Sequence, residues 1–132
     1  MLRREPIRSV PASSGQRMYV SYCAVCHGAT AKGDGPAAPA LKTKPTDLSA
    51  LAARNAGTFP KFRVMYVLTA VEDSPVRGSA EMPKWCPAFR SVDHDDMAVV
   101  TLRARNLVGY LRTLQVPAQN DAVTEVAGGH RR

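Results

Sequence analysis

Apolar side chains recur at helical spacing near both ends of the chain. Towards the start they are Met18, Tyr19, Tyr22 and Cys23. Towards the end they are Met97, Val100, Ala104, Leu107, Leu111 and Leu114. Side chains three and four residues apart share one face of a helix, so these positions predict two helices. A capping box of Ser13 and Gln16 suits the start of the first, and the acids of 93–96 suit the start of the second.

A third and shorter helix is predicted over 62–71, where apolar residues are dense. Two stretches rich in glycine and proline, 28–60 and 74–87, lie between the helices and show no strand-like alternation. Loops of this length are uncommon in a compact domain unless something inside orders them. The pattern predicts an all-α domain of three main helices, with long loops wrapped around a group that is not protein.

Length and composition favour one globular domain. The chain has 132 residues, of which 45% are hydrophobic and 6% aromatic, so its core is short of large side chains. We expect a flexible lead over 1–12, a folded domain over 13–116 and a polar tail over 117–132. No apolar run approaches the roughly 18 residues of a membrane span, so we predict no transmembrane segment. A monomer is expected.

The net charge is positive, because 18 Lys and Arg face 11 Asp and Glu to give +7. Residues 1–8 carry +2 and residues 121–132 carry zero, so the folded body carries the remaining +5. The cations do not form the blocks of five or six that mark nucleic-acid-binding arms, and no nucleic-acid partner is predicted. A basic body instead suits an acidic protein partner.

The motif Cys23-Ala24-Val25-Cys26-His27 stands at the end of the first predicted helix. C-x-x-C-H is the attachment signature of a c-type haem. Two thiols at this spacing reach the two vinyl groups of one porphyrin, and the imidazole that follows is carried to one face of the iron. One haem c, bound through both cysteines, would fill the core that the few aromatic side chains leave short.

Three other interpretations of the motif remain open at this point. A redox-active cysteine pair accompanies a βαβ pattern, which the chain lacks. A zinc site needs a fourth ligand besides Cys23, Cys26 and His27, and Cys86 stands alone. A disulfide between the two motif cysteines would close too small a loop to stabilise the fold much. The sequence favours haem over all three.

The second axial ligand should be a methionine or histidine that lies far along the chain in a loop. Met82 meets this description, because it precedes Pro83, which has no amide hydrogen with which to continue a helix. His94 lies among charged residues and is expected to be solvated. His27 and Met82 are therefore the predicted iron ligands. The other methionines near apolar runs are predicted core residues: Met18, Met65 and Met97.

These motifs resemble the monohaem class I c-type cytochromes of the bacterial periplasm. Gly15 and Tyr19 stand eight and four residues before Cys23, as the family's glycine and aromatic residue do in its first helix. Leu107 and Tyr110 resemble the apolar and aromatic pair of its last helix. The resemblance implies the cytochrome c fold, in which these two helices cross and the glycine lets their backbones touch.

The loops extend the resemblance over 13–116. The glycine-rich run that ends at Pro36 resembles the loop beneath the haem, where the matching proline carbonyl accepts a hydrogen bond from the ligating imidazole. Met82, Pro83 and Trp85 resemble the distal loop. Relatives usually have glycine at the position of Cys86, which we interpret as a small, partly buried replacement. A disulfide to a partner and iron ligation are the alternatives for its thiol.

The resemblance implies an electron carrier and not an enzyme, because ligands on both faces of the haem leave no open position for a substrate. It also implies a periplasmic protein whose export signal has been removed. The expected partner is an acidic oxidase, reductase or dehydrogenase, and the alternative is a fixed haem subunit or sensor domain of a larger redox complex. Candidates for contacts with the haem propionates are Arg63, Tyr66 and Trp85. Cations expected around the haem are Lys32, Lys42, Lys44, Arg63, Arg77 and Lys84.

Overall fold

The computed structural model describes residues 9–70 and 82–117, which form five α-helices and no strand. The helices are α1 (Gly15–Met18), α2 (Ala24–His27), α3 (Lys61–Thr69), α4 (Trp85–Val92) and α5 (Met97–Thr113). A π-helical turn over Tyr19–Cys23 joins α1 to α2, and short 3₁₀ turns follow over Ala38–Ala40, Leu48–Ala50 and Ala53–Asn55. The predicted all-α class is confirmed. No helix in the described ranges is both long enough and apolar enough to cross a membrane.

Side-chain caps define where the first and last helices begin. The Ser14 hydroxyl accepts a hydrogen bond from the amide three residues on at 3.0 Å, so Ser14 caps α1 in place of the predicted box of Ser13 and Gln16. The carboxylate of Asp96 accepts from the amides two and three residues on at 3.1 and 3.4 Å. The last helix therefore begins at Met97, directly after the predicted acidic segment.

The helix α4 occupies a place where the sequence predicts the end of a loop. Pro87 supports the loop prediction, yet it is the third residue of α4. The first amides of a helix have no acceptor within the helix, so proline removes no hydrogen bond at this position. The predicted third helix is present as α3, one residue earlier at its start and two earlier at its end. Residues 71–81 lie outside the described part of the chain.

At the crossing of α1 and α5 the two backbones lie so close together that a side chain would block the contact. A Cβ atom on Gly15 would collide with the carbonyl oxygen of Asn106 and lie 2.9 Å from the Cβ of Tyr110. The rings of Tyr19 and Tyr110 pack beside this contact with their centroids 5.5 Å apart. The backbone contact implied by the family resemblance is therefore present at Gly15.

The core contains an aromatic cluster that the low aromatic content conceals. The Trp85 ring lies 5.5 Å from that of Tyr22 and 5.7 Å from that of Phe89, measured between centroids. Met18 is buried beside them as predicted, but Met97 is 48% exposed, so its assignment to the core is wrong. Met97 is the first residue of α5, and the core-facing stripe begins one turn later at Val100.

A buried ion pair holds the start of the described chain against the last helix. Arg103, 3% exposed, donates from Nε and Nη2 to the carboxylate of Asp93 at 2.8 and 3.0 Å. Its Nη1 donates to the carbonyl oxygen of Val10 at 2.7 Å, and the Asn106 amide donates to that of Ala12 at 2.7 Å. The hydrogen bond to Asp93 raises the pKa of Arg103 above its ordinary value. Positions 10 and 12, predicted to belong to a flexible lead, are thus packed.

Candidate functional site

The attachment motif forms the last five residues of one continuous helical segment, which begins at Gly15 and ends at His27. Cys23 ends the π-helical turn, while Cys26 and His27 belong to α2. Residues three and four apart lie on one face of a helix, so both thiols and the imidazole are presented to the same side. All three cysteines of the chain are thiols, which excludes a disulfide within the motif. Burial, with a smaller effect of Cys26, raises the pKa of the Cys23 thiol to about 12.

His27 has a hydrogen bond that prepares it to bind a metal. Its Nδ1 lies 3.0 Å from the carbonyl oxygen of Thr46. A carbonyl only accepts, so Nδ1 carries the proton and Nε2 keeps a lone pair for a metal ion. Burial lowers the pKa of His27, against a smaller opposing effect of the bond to Thr46. A neutral imidazole with an available Nε2 fits haem iron.

The acceptor of this hydrogen bond differs from the one that the sequence implies. The family resemblance points to the carbonyl of Pro36, and Thr46 supplies it in the structure. A Cβ on Gly33 would collide with the carbonyl oxygen of Pro45, so the chain before Thr46 runs directly against the glycine turn. This close passage brings the Thr46 carbonyl to the imidazole. Pro36 is exposed.

The loop after α2 is built onto the carbonyl end of that helix. The amides of Gly33, Gly35 and Ala37 donate to successive carbonyls of His27, Cys26 and Val25 at 2.8, 3.0 and 2.8 Å. These three carbonyls lie in the last turn of α2, where no amide of the same helix is available to donate to them. A Cβ on Gly35 would collide with the Val25 carbonyl oxygen, so glycine is required for the loop to lie this close.

A clamp at the end of α5 holds the continuation of this loop, and sequence reasoning missed it. The Gln115 side chain accepts from the amide of Ala52 at 2.9 Å and donates to the carbonyl of Leu48 at 2.7 Å. The amide of Val116 donates to the carbonyl of Ser49 at 2.9 Å. No local pattern around Gln115 identifies these partners, because they lie more than sixty residues away.

The predicted second ligand lies beside the core, at the start of the second described range. Met82 is half-buried and packs against the buried apolar cluster. Trp85 is buried within the aromatic cluster described above. Cys86 is 5% exposed, which agrees with a small buried residue and leaves its thiol poorly placed for a disulfide to another protein.

The other predicted propionate contacts are not drawn towards the core. On α3, helical spacing turns Val64 and Leu68 to the apolar cluster and leaves Arg63 and Tyr66 on the opposite face. Arg63 is exposed and Tyr66 is 47% exposed. Trp85 is therefore the one of the three that packs in the interior.

The competing interpretations of the motif lose support in the structure. A thioredoxin-like redox pair needs a sheet, and neither described range contains a strand. A zinc site needs converging ligands, and no three His, Cys, Asp or Glu side chains in 9–70 and 82–117 are grouped to hold a metal ion. The two thiols and the prepared imidazole remain, as covalent haem attachment requires.

Comparison with known families agrees with this site. A sequence profile of the family described as cytochrome c matches residues 12–115. The chain belongs to the cytochrome c family. Its cofactor is haem c, which this family binds covalently through cysteines spaced as Cys23 and Cys26 are. Comparisons with curated proteins and with solved structures gave no match.

Membership of the family explains why this cytochrome has long loops. The loop after the motif contacts it through backbone amides and carries few large side chains, as expected for a loop that packs against a porphyrin. Electron transport by a haem group is the activity that the family supports.

Proposed function

We propose that this cytochrome is a one-electron carrier in which His27 and Met82 bind the two faces of the haem iron. Haem iron supplies the chemistry by alternating between its ferrous and ferric states. The observation that carries the proposal is the hydrogen bond from His27 Nδ1 to the Thr46 carbonyl at 3.0 Å, which leaves Nε2 available to the iron.

Met82 is proposed as the second ligand because of its chemistry and its place. It lies half-buried against the core, and its thioether is a neutral ligand that stabilises ferrous iron and raises the reduction potential. With protein ligands on both faces, no position stays open for oxygen, peroxide or a substrate. The proposal therefore assigns electron transfer to this cytochrome and no enzymatic activity.

The surroundings of the motif support transfer of electrons with little rearrangement. Partly buried apolar side chains pack against the core, and they would exclude water from a group bound beside it: Leu48, Leu51, Ala52, Val64 and Met65. A dry site disfavours the extra charge of the ferric state. Ligands held by the fold move little between oxidation states.

Substitution of Met82 tests the ligand assignment. In haem-loaded Met82→Ala we expect loss of the sulfur-to-iron charge-transfer band in the ferric state and fast binding of carbon monoxide in the ferrous state. Met65→Ala is the matched control, because Met65 is also half-buried against the core and should keep both properties of the native protein. An unchanged spectrum in Met82→Ala would contradict the assignment.

The basic surface is proposed as the docking site for an acidic redox partner, namely an oxidase, a reductase or a dehydrogenase. Five of the predicted cations are exposed: Lys32, Lys42, Lys44, Arg63 and Lys84. Arg77 lies outside the described residues. Positive charge near the haem would steer an acidic partner, so the bimolecular rate of electron transfer should fall steeply as salt is added. A flat salt response would remove this part of the proposal.

One observation favours a fixed subunit of a larger redox complex as a second candidate. Phe62 is 79% exposed on the outer face of α3, close to the exposed Tyr66. Large exposed aromatic side chains are typical of contact surfaces. Size-exclusion chromatography of a native extract separates the candidates, because a carrier elutes as a small monomer and a subunit elutes within a large complex.

We further propose a periplasmic location, with export before the haem is attached. Covalent attachment to C-x-x-C-H occurs outside the cytoplasm in bacterial relatives by family resemblance. Expression with a periplasmic export signal should yield a protein whose mass exceeds that of the chain by one haem. Expression without the signal should yield the bare chain. Equal haem loading in both compartments would contradict the location.

A further inference from the structure

Tyr19 carries a buried hydroxyl that the proposed function leaves unused. Its side chain is 0% exposed, and its hydroxyl donates to the carbonyl oxygen of Gly28 at 2.6 Å. Burial, more than any neighbouring charge, raises the pKa of this hydroxyl far above its ordinary value, so the group stays protonated and able to donate. A buried hydroxyl without an acceptor is costly, which makes this hydrogen bond a fixed part of the fold.

The two partners of this bond bracket the attachment motif. Tyr19 stands four residues before Cys23, and Gly28 directly follows His27. The bond therefore joins the two ends of the segment that presents both thiols and the imidazole. It also spans the π-helical turn over Tyr19–Cys23, a rare geometry that occurs mostly at functional sites.

Gly28 is held in a conformation that few other residues could adopt. Its φ of 89° ends α2, and a Cβ atom there would collide with the carboxylate of Asp34. Its amide donates to the carbonyl of Ala24 at 2.8 Å, and its carbonyl also accepts from the amide of Ala31 at 3.1 Å. Because Gly28 directly follows His27, a displacement of the His27 backbone would have to distort this turn.

We propose that the Tyr19 hydroxyl is a positioning group for the axial ligand His27. Its hydrogen bond ties the turn after His27 to the crossing of α1 and α5, where the Tyr19 ring packs against that of Tyr110 at 5.5 Å. The rigid crossing thereby limits how far the imidazole can move when the iron changes its oxidation state. This inference rests on the proposed function, because it assigns Tyr19 a role towards the ligand His27.

The test compares Tyr19→Phe with Tyr22→Phe in the haem-loaded protein. Each change removes one hydroxyl and keeps the ring. Tyr22 is buried in the same π-helical turn, and its hydroxyl accepts from the amide of Val10 at 3.4 Å. Both variants should lose some stability, but only Tyr19→Phe should loosen the turn after His27.

Hydrogen exchange reports that turn directly. The amides of Ala31 and Gly33 donate to the carbonyls of Gly28 and His27 at 3.1 and 2.8 Å. Loss of one hydrogen bond of ordinary strength should speed exchange at these two amides by about fivefold in Tyr19→Phe. In Tyr22→Phe they should change no more than the amides of α5.

A second readout comes from haem-loaded molecules alone, so it remains measurable if Tyr19→Phe loads haem poorly. The electron paramagnetic resonance signal of the ferric protein should broaden in Tyr19→Phe, because the imidazole takes up a wider range of orientations, and should keep its native width in Tyr22→Phe. Native exchange rates in Tyr19→Phe, or an equal increase in both variants, would overturn the proposal. Fast carbon monoxide binding by the native protein would overturn the proposed function and leave the exchange result standing.

Discussion

The crossing of α1 with α5 and the loop over 28–60 are stabilised in different ways. At the crossing, large side chains such as Tyr19 and Leu107 are almost completely buried. In the loop most side chains are exposed or half-buried, and backbone hydrogen bonds from Gly33 and Gly35 to α2 supply the order. The crossing is thus a packed protein core, whereas the loop is a layer of backbone laid against the attachment motif.

Because of this difference, the two regions have different roles in building the attachment site. The crossing fixes the helical segment that carries both thiols, and the loop supplies the acceptor that orients His27. Regions with few buried apolar contacts open at lower free energy than packed cores. We therefore expect the crossing to determine the free energy of unfolding and the loop to respond to changes made at its anchors.

Removing the buried cation of α5, which ties the residues before α1 to this helix, should have the largest effect. Arg103→Met leaves the carboxylate of Asp93 buried without its ion pair and the Val10 carbonyl without its donor. We expect the free energy of unfolding in urea to fall by about 3–5 kcal/mol. Arg105→Met is the control, because Arg105 is exposed on the same helix. This substitution should change the free energy of unfolding by less than about 0.5 kcal/mol. Similar effects of both variants would mean that the ion pair is unimportant.

Filling the space at the crossing should come next. Gly15→Ala places a Cβ against the backbone of Asn106 and the Cβ of Tyr110, neither of which is the flexible end of a side chain. We expect a loss of about 1–3 kcal/mol, measured as the urea midpoint. Gly109→Ala is the matched control, because a Cβ there meets nothing within 4 Å and should stabilise α5 by about 0.5–1 kcal/mol. Stabilisation by both substitutions would show that the helices do not touch.

The clamp on the loop should give a smaller effect. Gln115→Ala removes the partners of the Ala52 amide and the Leu48 carbonyl, so we expect a loss of about 1–2 kcal/mol. Hydrogen exchange should accelerate more at the Ala52 amide than at amides of α5. Gln115→Glu keeps the acceptor for Ala52 and should protect that amide better than Gln115→Ala does. Uniform acceleration over the protein would argue against a local clamp.

Lowering the pH should destabilise the same loop, and this is the smallest of the expected effects on the free energy of unfolding. The Ser49 hydroxyl donates to the carboxylate of Asp47 at 2.6 Å and holds the pKa of that carboxyl below its ordinary value of 3.8. A lowered pKa in the folded state stabilises the protein above the unfolded pKa, and this stabilisation is lost as the pH falls through the folded pKa. Asp47→Asn should cost less than about 1 kcal/mol at neutral pH, because solvent screens the group. Urea unfolding at low pH should no longer distinguish the two proteins, and a persistent difference would contradict this account.

The helices and their crossing could be predicted from the sequence because their signals are local. The apolar stripe of α5, the acids before it and the position of Gly15 all depend on spacing within one helix. The attachment motif is local as well, since five consecutive residues define it. A local rule also explains the missed helix α4, because Pro87 indicates a loop except in the first turn of a helix, which is where it lies.

The loop contacts could not be predicted because they join residues far apart in the sequence. Thr46 takes the place expected for Pro36 only because the chain passes close to Gly33. Gln115 reaches Ala52 across sixty-three residues, and no spacing rule connects them. Burial cannot be predicted from residue type alone, because it depends on where a helix meets the core. Met97 is apolar and yet exposed for this reason.

Voltammetry of the haem-loaded protein tests the central claim, a carrier with His27 and Met82 on the two faces of the iron, most directly. One sample is measured first under nitrogen and then under carbon monoxide. The account predicts a single reversible one-electron wave at the same potential under both gases, because both axial positions are filled. A wave that moves to higher potential under carbon monoxide would show that the ferrous iron has an open position, and it would contradict the account.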